Sequence, residues 1–226
     1  MQYFKQAFEL IASADTELLK IIATTMLMSF FSTLFSSLIG LPLGVFLGCS
    51  QFKGKSAVMK LLNTLMSLPP VVAGLVVFML FRSVGPFGSL HIMFSVPVMI
   101  IAQIVLITPV TSSLSAAAAG DKLKLIGETA AGLGMSKIKR NAIIMRECLP
   151  QFFGIVLLAF GRSVAEVGAV SLVGGNIQFK TRVMTTAILL EANKGNFEKA
   201  LALGIVLLFI SLIVNVTAHT LQEKIK

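Results

Sequence analysis

The 226-residue chain is 56% hydrophobic, only 13% of its residues are charged, and its formal net charge is +9 at pH 7. Soluble domains carry about a quarter charged residues, so this apolar excess excludes an ordinary soluble protein and indicates a chain dissolved in a lipid bilayer. Because the chain has no Trp and one Tyr, we expect no nucleic-acid binding and attribute the positive charge to cytoplasmic loops.

The apolar stretches are long enough for five membrane spans of about 20 residues or more each. Their expected positions are residues 21–50, 61–81, 92–119, 148–173 and 200–221. The length predicts a single domain over residues 1–226, an all-α polytopic helical bundle. Residues 1–15 lack the basic-then-apolar order of a signal peptide. Residues 1–11 are expected to form a short amphipathic helix at the membrane interface.

Glycine and proline mark places where the predicted spans bend or pack closely. Gly40, Gly44 and Gly48 recur every four residues, so one face of the first span has no side chains and a neighbouring helix can approach it. Pro69 and Pro70 interrupt the second span, where a missing backbone hydrogen bond favours a kink. Together these residues indicate a tightly packed bundle with moving parts, although both types are common in ordinary membrane helices.

Lys and Arg are distributed unevenly between the two sides of the membrane. Eleven of the 19 lie after the first span, between the third and fourth spans or in the C-terminal tail. This bias predicts an N-terminus outside and a C-terminus in the cytoplasm. Cys49 and Cys148 then lie near cytoplasmic membrane ends, where we expect packing roles and no disulfide.

The cytoplasmic segment at about 120–150 is the most informative part of the chain. Asp121 can cap a short helix, and Gly134 is placed to end that helix in the left-handed conformation. Ser136 can then cap a second helix that begins at Lys137. A helix–Gly–helix element that is small on one side and basic on the other suits a partner's groove, so we expect a docking element here.

The run Glu128-Thr129-Ala130-Ala131-Gly132-Leu133-Gly134, with Ile144 ten residues further on, resembles the EAA loop of importer-type ATP-binding cassette permeases. This chain departs from the family pattern at Thr129, which replaces Ala, and at Arg146-Glu147, which replaces Leu-Pro; Leu149-Pro150 follows three residues later. On the residues alone, Glu128 could simply complement a helix dipole. The resemblance instead implies coupling helices between the third and fourth spans that contact a separate ATPase. The implied contact residues are Glu128, Ala130, Ala131, Gly132 and Gly134.

Further runs resemble the molybdate, sulfate and tungstate branch of these permeases. They are residues 67–75, 160–170 and 173–177, and residues 181–188 and 191–197 resemble the tungstate type in particular. The resemblance implies a homodimer in the plasma (inner) membrane of a prokaryote, surrounded by membrane lipid. It also implies ATP-binding cassette ATPase subunits, an extracytoplasmic oxyanion-binding protein and no cofactor. Tungstate is the expected substrate, with molybdate or sulfate as alternatives.

Polar residues in or near the last spans are candidates for an anion pathway or gate. The candidates are Arg162, Glu166, Asn176, Thr181, Arg182 and Thr185. Arg162 and Glu166 lie four residues apart and could instead form a structural salt bridge, and residues 180–186 could be a solvated loop or a binding-protein contact. Because the ion must also leave, we expect weak, scattered donors and no cage of arginines.

The sequence contains no motif for catalysis. It lacks a Gly-x-x-x-x-Gly-Lys-Ser/Thr nucleotide loop, so we expect a non-catalytic subunit with ATP hydrolysis on a separate chain, and His91 and His219 do not indicate a metal site. Two other classes remain open: a stand-alone anion channel or secondary transporter, which needs no docking helix, and a membrane-anchored scaffold, which needs no charges within a span. The lack of an internal repeat disfavours a secondary transporter.

Overall fold

The computed structural model describes residues 15–223, together with Ala7, Glu9, Ala12 and Ser13. The expected interfacial helix over residues 1–11 lies largely outside the described residues. The α helices with described bounds are α1 (Thr16–Cys49), α2 (Lys55–Met66), α3 (Pro70–Phe81), α4 (Val96–Gly132), α5 (Lys137–Glu147), α6 (Leu149–Val164), α7 (Gly168–Gly174), α8 (Met184–Asn193) and α9 (Phe197–Glu223). A single 3₁₀ turn, Gly88–Leu90, precedes α4. The described part of the chain contains no strand, which confirms the all-α class.

Three helices are long and apolar enough to cross a membrane alone: α1, α4 and the Phe197–Thr217 part of α9. Two pairs of helices are sharply bent, α2 with α3 by 99° and α5 with α6 by 62°. Pro69 and Pro70 lie at the first bend and Pro150 at the second, where the missing N–H groups and the fixed proline φ favour helix ends and starts. The described helices therefore provide three candidate spans, or up to five if each bent pair crosses once.

Helix α4 corrects two of the predicted boundaries. It begins at Val96 rather than at Ile92, because His91 and Phe94 have positive φ and Ser95 is extended. It then continues without a break to Gly132, so Asp121 lies inside the helix and does not cap a new one. Residues 110–132 contain many good helix formers and no proline, which explains why the helix continues.

The fourth predicted span is also shorter than expected. Helix α6 ends at Val164, and α7 begins at Gly168. Glu166 lies between them, and its Oε1 accepts a hydrogen bond from the Ala169 backbone N–H at 3.2 Å. A carboxylate that accepts such a bond caps the N-terminal turn of α7 and so favours a new helix over continuation of α6.

The closest helix contact joins α1 to α4, as the glycine spacing predicted. A Cβ added at Gly44 would lie 2.4 Å from the Ser112 carbonyl oxygen, and one at Gly48 would lie 2.5 Å from that of Ala116. The hydroxyl of Ser115 also donates to the α1 carbonyl of Leu41 at 2.9 Å. This near-backbone contact makes α1 and α4 a closely packed pair around which the other helices are arranged.

Three buried apolar clusters pack α3 and α5 to α9 against the α1–α4 pair. One joins α1, α3, α4 and α7, a second joins α1, α4, α5 and α6, and the third joins α1, α6, α8 and α9. Cys49 and Cys148 are free and buried in the second cluster, which confirms their predicted role as packing residues. Many large apolar side chains face outward, as expected for a protein whose solvent includes lipid.

Candidate functional site

Arg162 lies in the last turn of α6, beside the break between α2 and α3. Its Nη2 donates a hydrogen bond to the Met66 carbonyl oxygen at 3.4 Å, one of the helix-terminal carbonyls that lack an intrahelical partner. Glu166 points to α7 and caps it, as described above. The two side chains therefore do not form the predicted salt bridge, because the end of α6 at Val164 removes the helical geometry that would place them together.

Buried polar groups hold the end of α6 in the bundle. Ser163 Oγ lies 2.8 Å from Ser32 Oγ on α1, and the Ser163 carbonyl accepts a hydrogen bond from Gln103 Nε2 on α4 at 3.1 Å. Thr185 Oγ1 on α8 donates to the Glu166 carbonyl at 2.7 Å. Gln103, Arg162, Ser163, Glu166 and Thr185 are called the central cluster below. The sequence interpretation missed Gln103, although it is the one amide side chain in the third predicted span, a feature that signals a functional or structural polar contact.

Two glycines bring the interrupted helices into contact at the central cluster. A Cβ at Gly74 would lie 2.7 Å from the Ala169 Cα, and one at Gly168 would lie 3.3 Å from the Val71 backbone nitrogen. Helices α3 and α7 therefore touch almost backbone to backbone. The two segments with a shared family resemblance, 67–75 and 160–170, meet at this contact. The break between α2 and α3 and the break between α6 and α7, together called the helix breaks, therefore lie in one region of the molecule.

A second group of polar residues surrounds Glu17 in the first turn of α1. Its Oε1 accepts hydrogen bonds from Arg182 Nη1 at 2.9 Å and Gln178 Nε2 at 3.0 Å, and its Oε2 accepts one from Lys199 Nζ at 2.5 Å. These four residues, the Glu17 cluster, join α1, the loop between α7 and α8, and α9. Sequence reasoning missed Glu17 and Lys199 because they are 182 positions apart in the chain.

Asn176 and Thr181 make hydrogen bonds that fix the loop between α7 and α8. Thr181 Oγ1 donates to the Gly174 carbonyl at 2.6 Å and accepts from the Ile177 backbone N–H at 2.9 Å. Asn176, whose φ is +49°, accepts a hydrogen bond from Thr186 Oγ1 at 3.0 Å. The six predicted pathway residues thus divide into two groups: three lie in the central cluster, and the other three lie in or beside the loop at the Glu17 cluster.

Glu191 fixes the turn that connects α8 to α9. It is buried, and burial would raise the pKa of its carboxyl group, but hydrogen bonds from Asn196 and Lys194 outweigh that effect and lower the pKa overall. Glu191 is therefore a carboxylate at neutral pH. Its contribution to stability is present above the ordinary glutamate range and is lost as the pH falls through the lowered pKa.

Substituting Glu17 by Ala should release the loop between α7 and α8. The change leaves Arg182 and Lys199 without their carboxylate, and hydrogen bonds to charged groups contribute about 1.5–3 kcal/mol each when they are shielded. We expect the backbone amides of residues 177–182 to exchange about tenfold faster or more in hydrogen-exchange mass spectrometry.

The matched control is Lys124→Ala, which removes a highly exposed pair with Asp121 and should leave exchange unchanged. Equal protection of the loop in Glu17→Ala and the unmodified chain would show that the Glu17 cluster does not hold it.

The end of α4 has the helix–Gly–helix geometry that the sequence predicted. Gly134 has φ +64°, its N–H donates to the Ala131 carbonyl, and the Met135 N–H donates to the Ala130 carbonyl, both at 3.0 Å. This bonding pattern is the Schellman motif. Ser136 Oγ accepts a hydrogen bond from the Lys139 N–H at 3.4 Å, so the predicted helix end and the next helix start are both confirmed.

The surface around the Schellman turn is largely exposed. Glu128, Ala131 and Gly132 are exposed, whereas Ala130 is buried, and a Cβ at Gly132 or Gly134 would meet no atom within 4 Å. Large apolar side chains are also uncovered, with Leu133 68% and Ile138 83% exposed. Small, apolar and exposed residues in one place are typical of an interaction surface.

The family relationship follows from residues 40–226, which match the family model described as "Binding-protein-dependent transport system inner membrane component". The chain belongs to this family. The match covers both helix breaks, the Schellman turn and α9. It confirms the resemblance to importer permeases drawn from residues 128–134 and from the runs between 160 and 197, and we refer to the chain below as the permease.

Relatives and solved structures agree with this assignment. The permease is 38% identical to a tungstate uptake system permease protein of Peptoclostridium acidaminophilum, over 98% of this chain and 97% of that one. It is 36% identical to a tungstate uptake system permease protein of Campylobacter jejuni, with 97% and 92% covered. A sulfate transport system permease protein of Salmonella typhimurium is 27% identical, with 88% and 75% covered.

The fold also matches the crystal structure of a bacterial ABC transporter involved in the import of the acidic polysaccharide alginate. The TM-score is 0.76, and the match covers 94% of the permease and 81% of that chain. Because the sequences are 19% identical, this likeness establishes the fold alone.

Proposed function

We propose that the permease is the membrane pathway of an ATP-driven importer that carries tungstate. The observation that supports this substrate is 36–38% identity, over nearly the whole chain, to two tungstate uptake permeases. Identity to the sulfate permease is lower, at 27%. Molybdate and sulfate share the tetrahedral, doubly charged form of tungstate and remain the alternatives within the same class.

In the proposed topology each bent pair crosses the membrane once, which gives five spans. The N-terminus lies outside and the C-terminus in the cytoplasm, as the excess of Lys and Arg on one side supports. Helices α1 and α4 then both end in the cytoplasm, and the Schellman turn at Gly134 faces it. The Glu17 cluster and the loop between α7 and α8 lie on the outer face.

The proposed partner at the Schellman turn is an ATP-binding cassette ATPase. The exposed apolar side chain of Leu133 supplies buried area to the contact, and the absence of side chains at Gly132 and Gly134 allows close approach. Glu128 adds an exposed charge on the same element. ATP hydrolysis on that separate chain would move α4, which carries Gln103 of the central cluster, and α5, which is followed by α6 with Arg162 and Ser163.

The proposed anion path passes the central cluster, between two copies of the permease. Non-helical backbone at membrane depth persists where it is covered by protein or lines a water-filled path, and both helix breaks lie here. Arg162 is half-buried and is the cation of this cluster; a cation held within a span suits an anion path. A second copy related by two-fold symmetry would enclose the path from the other side.

On the outer face, we propose that an extracytoplasmic binding protein delivers the anion to the loop between α7 and α8. A crystal structure of a bacterial alginate ABC transporter with the same fold supports such an arrangement, since it is in complex with an alginate pentasaccharide-bound periplasmic protein. The choice among tungstate, molybdate and sulfate is then made by the binding protein, which calorimetry of that protein with the three anions would measure.

Uptake into liposomes tests the proposed function. The permease, its ATPase and its binding protein are reconstituted, and tungstate uptake is measured with and without ATP, with molybdate or sulfate as competitors. We expect uptake only with ATP and the ATPase, and stronger competition by molybdate than by sulfate. Full-rate uptake without the ATPase would identify a channel instead, and uptake of sulfate in preference to tungstate would overturn the substrate.

A further inference from the structure

A cavity of about 400 Å³ lies between the C-terminal end of α1 and the start of α5. Phe46 and Cys49 of α1 form one wall, and Lys137, Ile138 and Arg140 of α5 form the other. It lies apart from both the central cluster and the Glu17 cluster. The cavity therefore has an apolar wall that belongs to a membrane helix and a cationic wall that belongs to the next polar segment.

The cations at this cavity have no acidic partner among the described residues. Arg140 Nη2 donates to the Cys49 carbonyl at 3.2 Å, so Arg140 is held at the end of α1. Lys55, which lies near the cavity without lining it, donates through Nζ to the Ser50 carbonyl at 2.8 Å. Lys137 is exposed, and its side chain makes no hydrogen bond or ion pair within the described part of the chain. The one carboxylate of α5, on Glu147, is ten residues from Lys137, about 15 Å along the helix, and lies 3.9 Å from Lys122.

An apolar stripe leads along α1 into the cavity. Phe35, Ile39, Leu43 and Phe46 recur at helical spacing on one face, and they are 43%, 52%, 39% and 57% exposed. A ligand that fits both features has a negatively charged head and long apolar chains. A free inorganic anion would use only the cations, and a soluble protein would not extend along a face that belongs to a membrane span.

We propose that this cavity binds the headgroup of an anionic phospholipid, with the acyl chains lying along the α1 stripe. The phosphate would interact with Lys137 and Arg140, and Phe46 would contact the first part of the acyl chains. Basic pockets between membrane helices on the cytoplasmic side bind acidic lipid headgroups by the same combination. The assignment to the cytoplasmic leaflet rests on the topology in the proposed function, whereas binding itself does not.

Native mass spectrometry of the complete transporter tests this proposal, because the ATPase is then in place and any surface it covers is already occupied. The complex is titrated with phosphatidylglycerol or phosphatidylcholine, and the lipid molecules retained per permease are counted. We expect preferential retention of phosphatidylglycerol. Lys137→Ala should weaken that retention about fivefold, the effect of one basic residue near a charged lipid surface.

Lys139→Ala is the matched control, since Lys139 is an exposed lysine of the same helix that does not line the cavity. It should change retention less than twofold if the site is local. An equal loss of retained phosphatidylglycerol in both variants would show that diffuse electrostatic attraction to the surface holds the lipid, and it would overturn the proposal. Displacement of the lipid by excess inorganic phosphate, with no effect of Phe46→Ser, would show a simple anion site instead. Transport is not used as the readout, so failure here leaves the proposed function to be judged separately.

Discussion

Replacing Gly134 with Val is expected to reduce ATP-driven uptake about tenfold, while the permease still inserts into the membrane. Gly134 has φ +64°, a conformation that costs residues with a Cβ about 1–2 kcal/mol, and β-branched residues are true outliers there. A penalty of that size corresponds to a factor of 5–30 in an equilibrium. The expected consequence is a displaced Schellman turn that meets the ATPase in the wrong orientation.

Uptake and ATPase copurification should be measured together for this variant. Because a Cβ at Gly134 meets no atom within 4 Å, any loss must come from the backbone or from the partner and not from a clash inside the permease. Gly120→Ala is the control: Gly120 is also in open space but lies inside α4, where Ala is favoured over Gly by about 1 kcal/mol. Normal copurification and uptake by Gly134→Val would contradict the docking assignment.

Replacing Gly44 with Ala should lower the melting temperature of the purified permease by about 2–12 °C. The added Cβ would lie 2.4 Å from the Ser112 carbonyl oxygen and 2.6 Å from the Ser115 Cβ, so α1 and α4 must separate. Overpacking of this kind costs about 1–3 kcal/mol, and each kcal/mol shifts the midpoint by about 2–4 °C in a chain of this size. A thermal-shift assay on detergent-solubilised protein measures the change.

Gly204→Ala provides the comparison within the same membrane environment. It makes the same chemical change in the long helix α9, where a Cβ would meet no atom within 4 Å, so its melting temperature should stay the same or rise slightly. If both variants melt at the same temperature, the α1–α4 contact is looser than the structure shows, and the rigid pair inferred from it is wrong.

Features set by local backbone chemistry could be predicted from the sequence. Gly134 and Ser136 occupy the positions that a Schellman turn and an N-cap require, and these preferences act within a few residues. The spacing of Gly40, Gly44 and Gly48 likewise predicted a close helix contact, because the four-residue period places all three on one face. For these residues the neighbouring sequence contains the whole physical cause.

Features set by contacts between distant segments could not be predicted in this way. Arg162 and Glu166 have the spacing of a helical ion pair, but α6 ends between them because Glu166 caps α7 and Gly168 packs on Val71. Glu17 meets Arg182 across 165 positions, a distance over which periodicity carries no information. The prediction that Asp121 begins a helix was wrong for a local reason. A residue that is favourable at a helix cap is also tolerated inside a long helix.

The uninterrupted course of α4 has a consequence for where the motor subunit can sit. Its 37 residues span about 55 Å at 1.5 Å per residue, whereas the hydrocarbon core of a bilayer is about 30 Å thick. A helix that begins at one face of the hydrocarbon core and stands upright would therefore extend about 25 Å beyond the other face, through the headgroup region. A water-soluble nucleotide-binding subunit could then bind the end of α4 from the aqueous phase, next to the lipid headgroups.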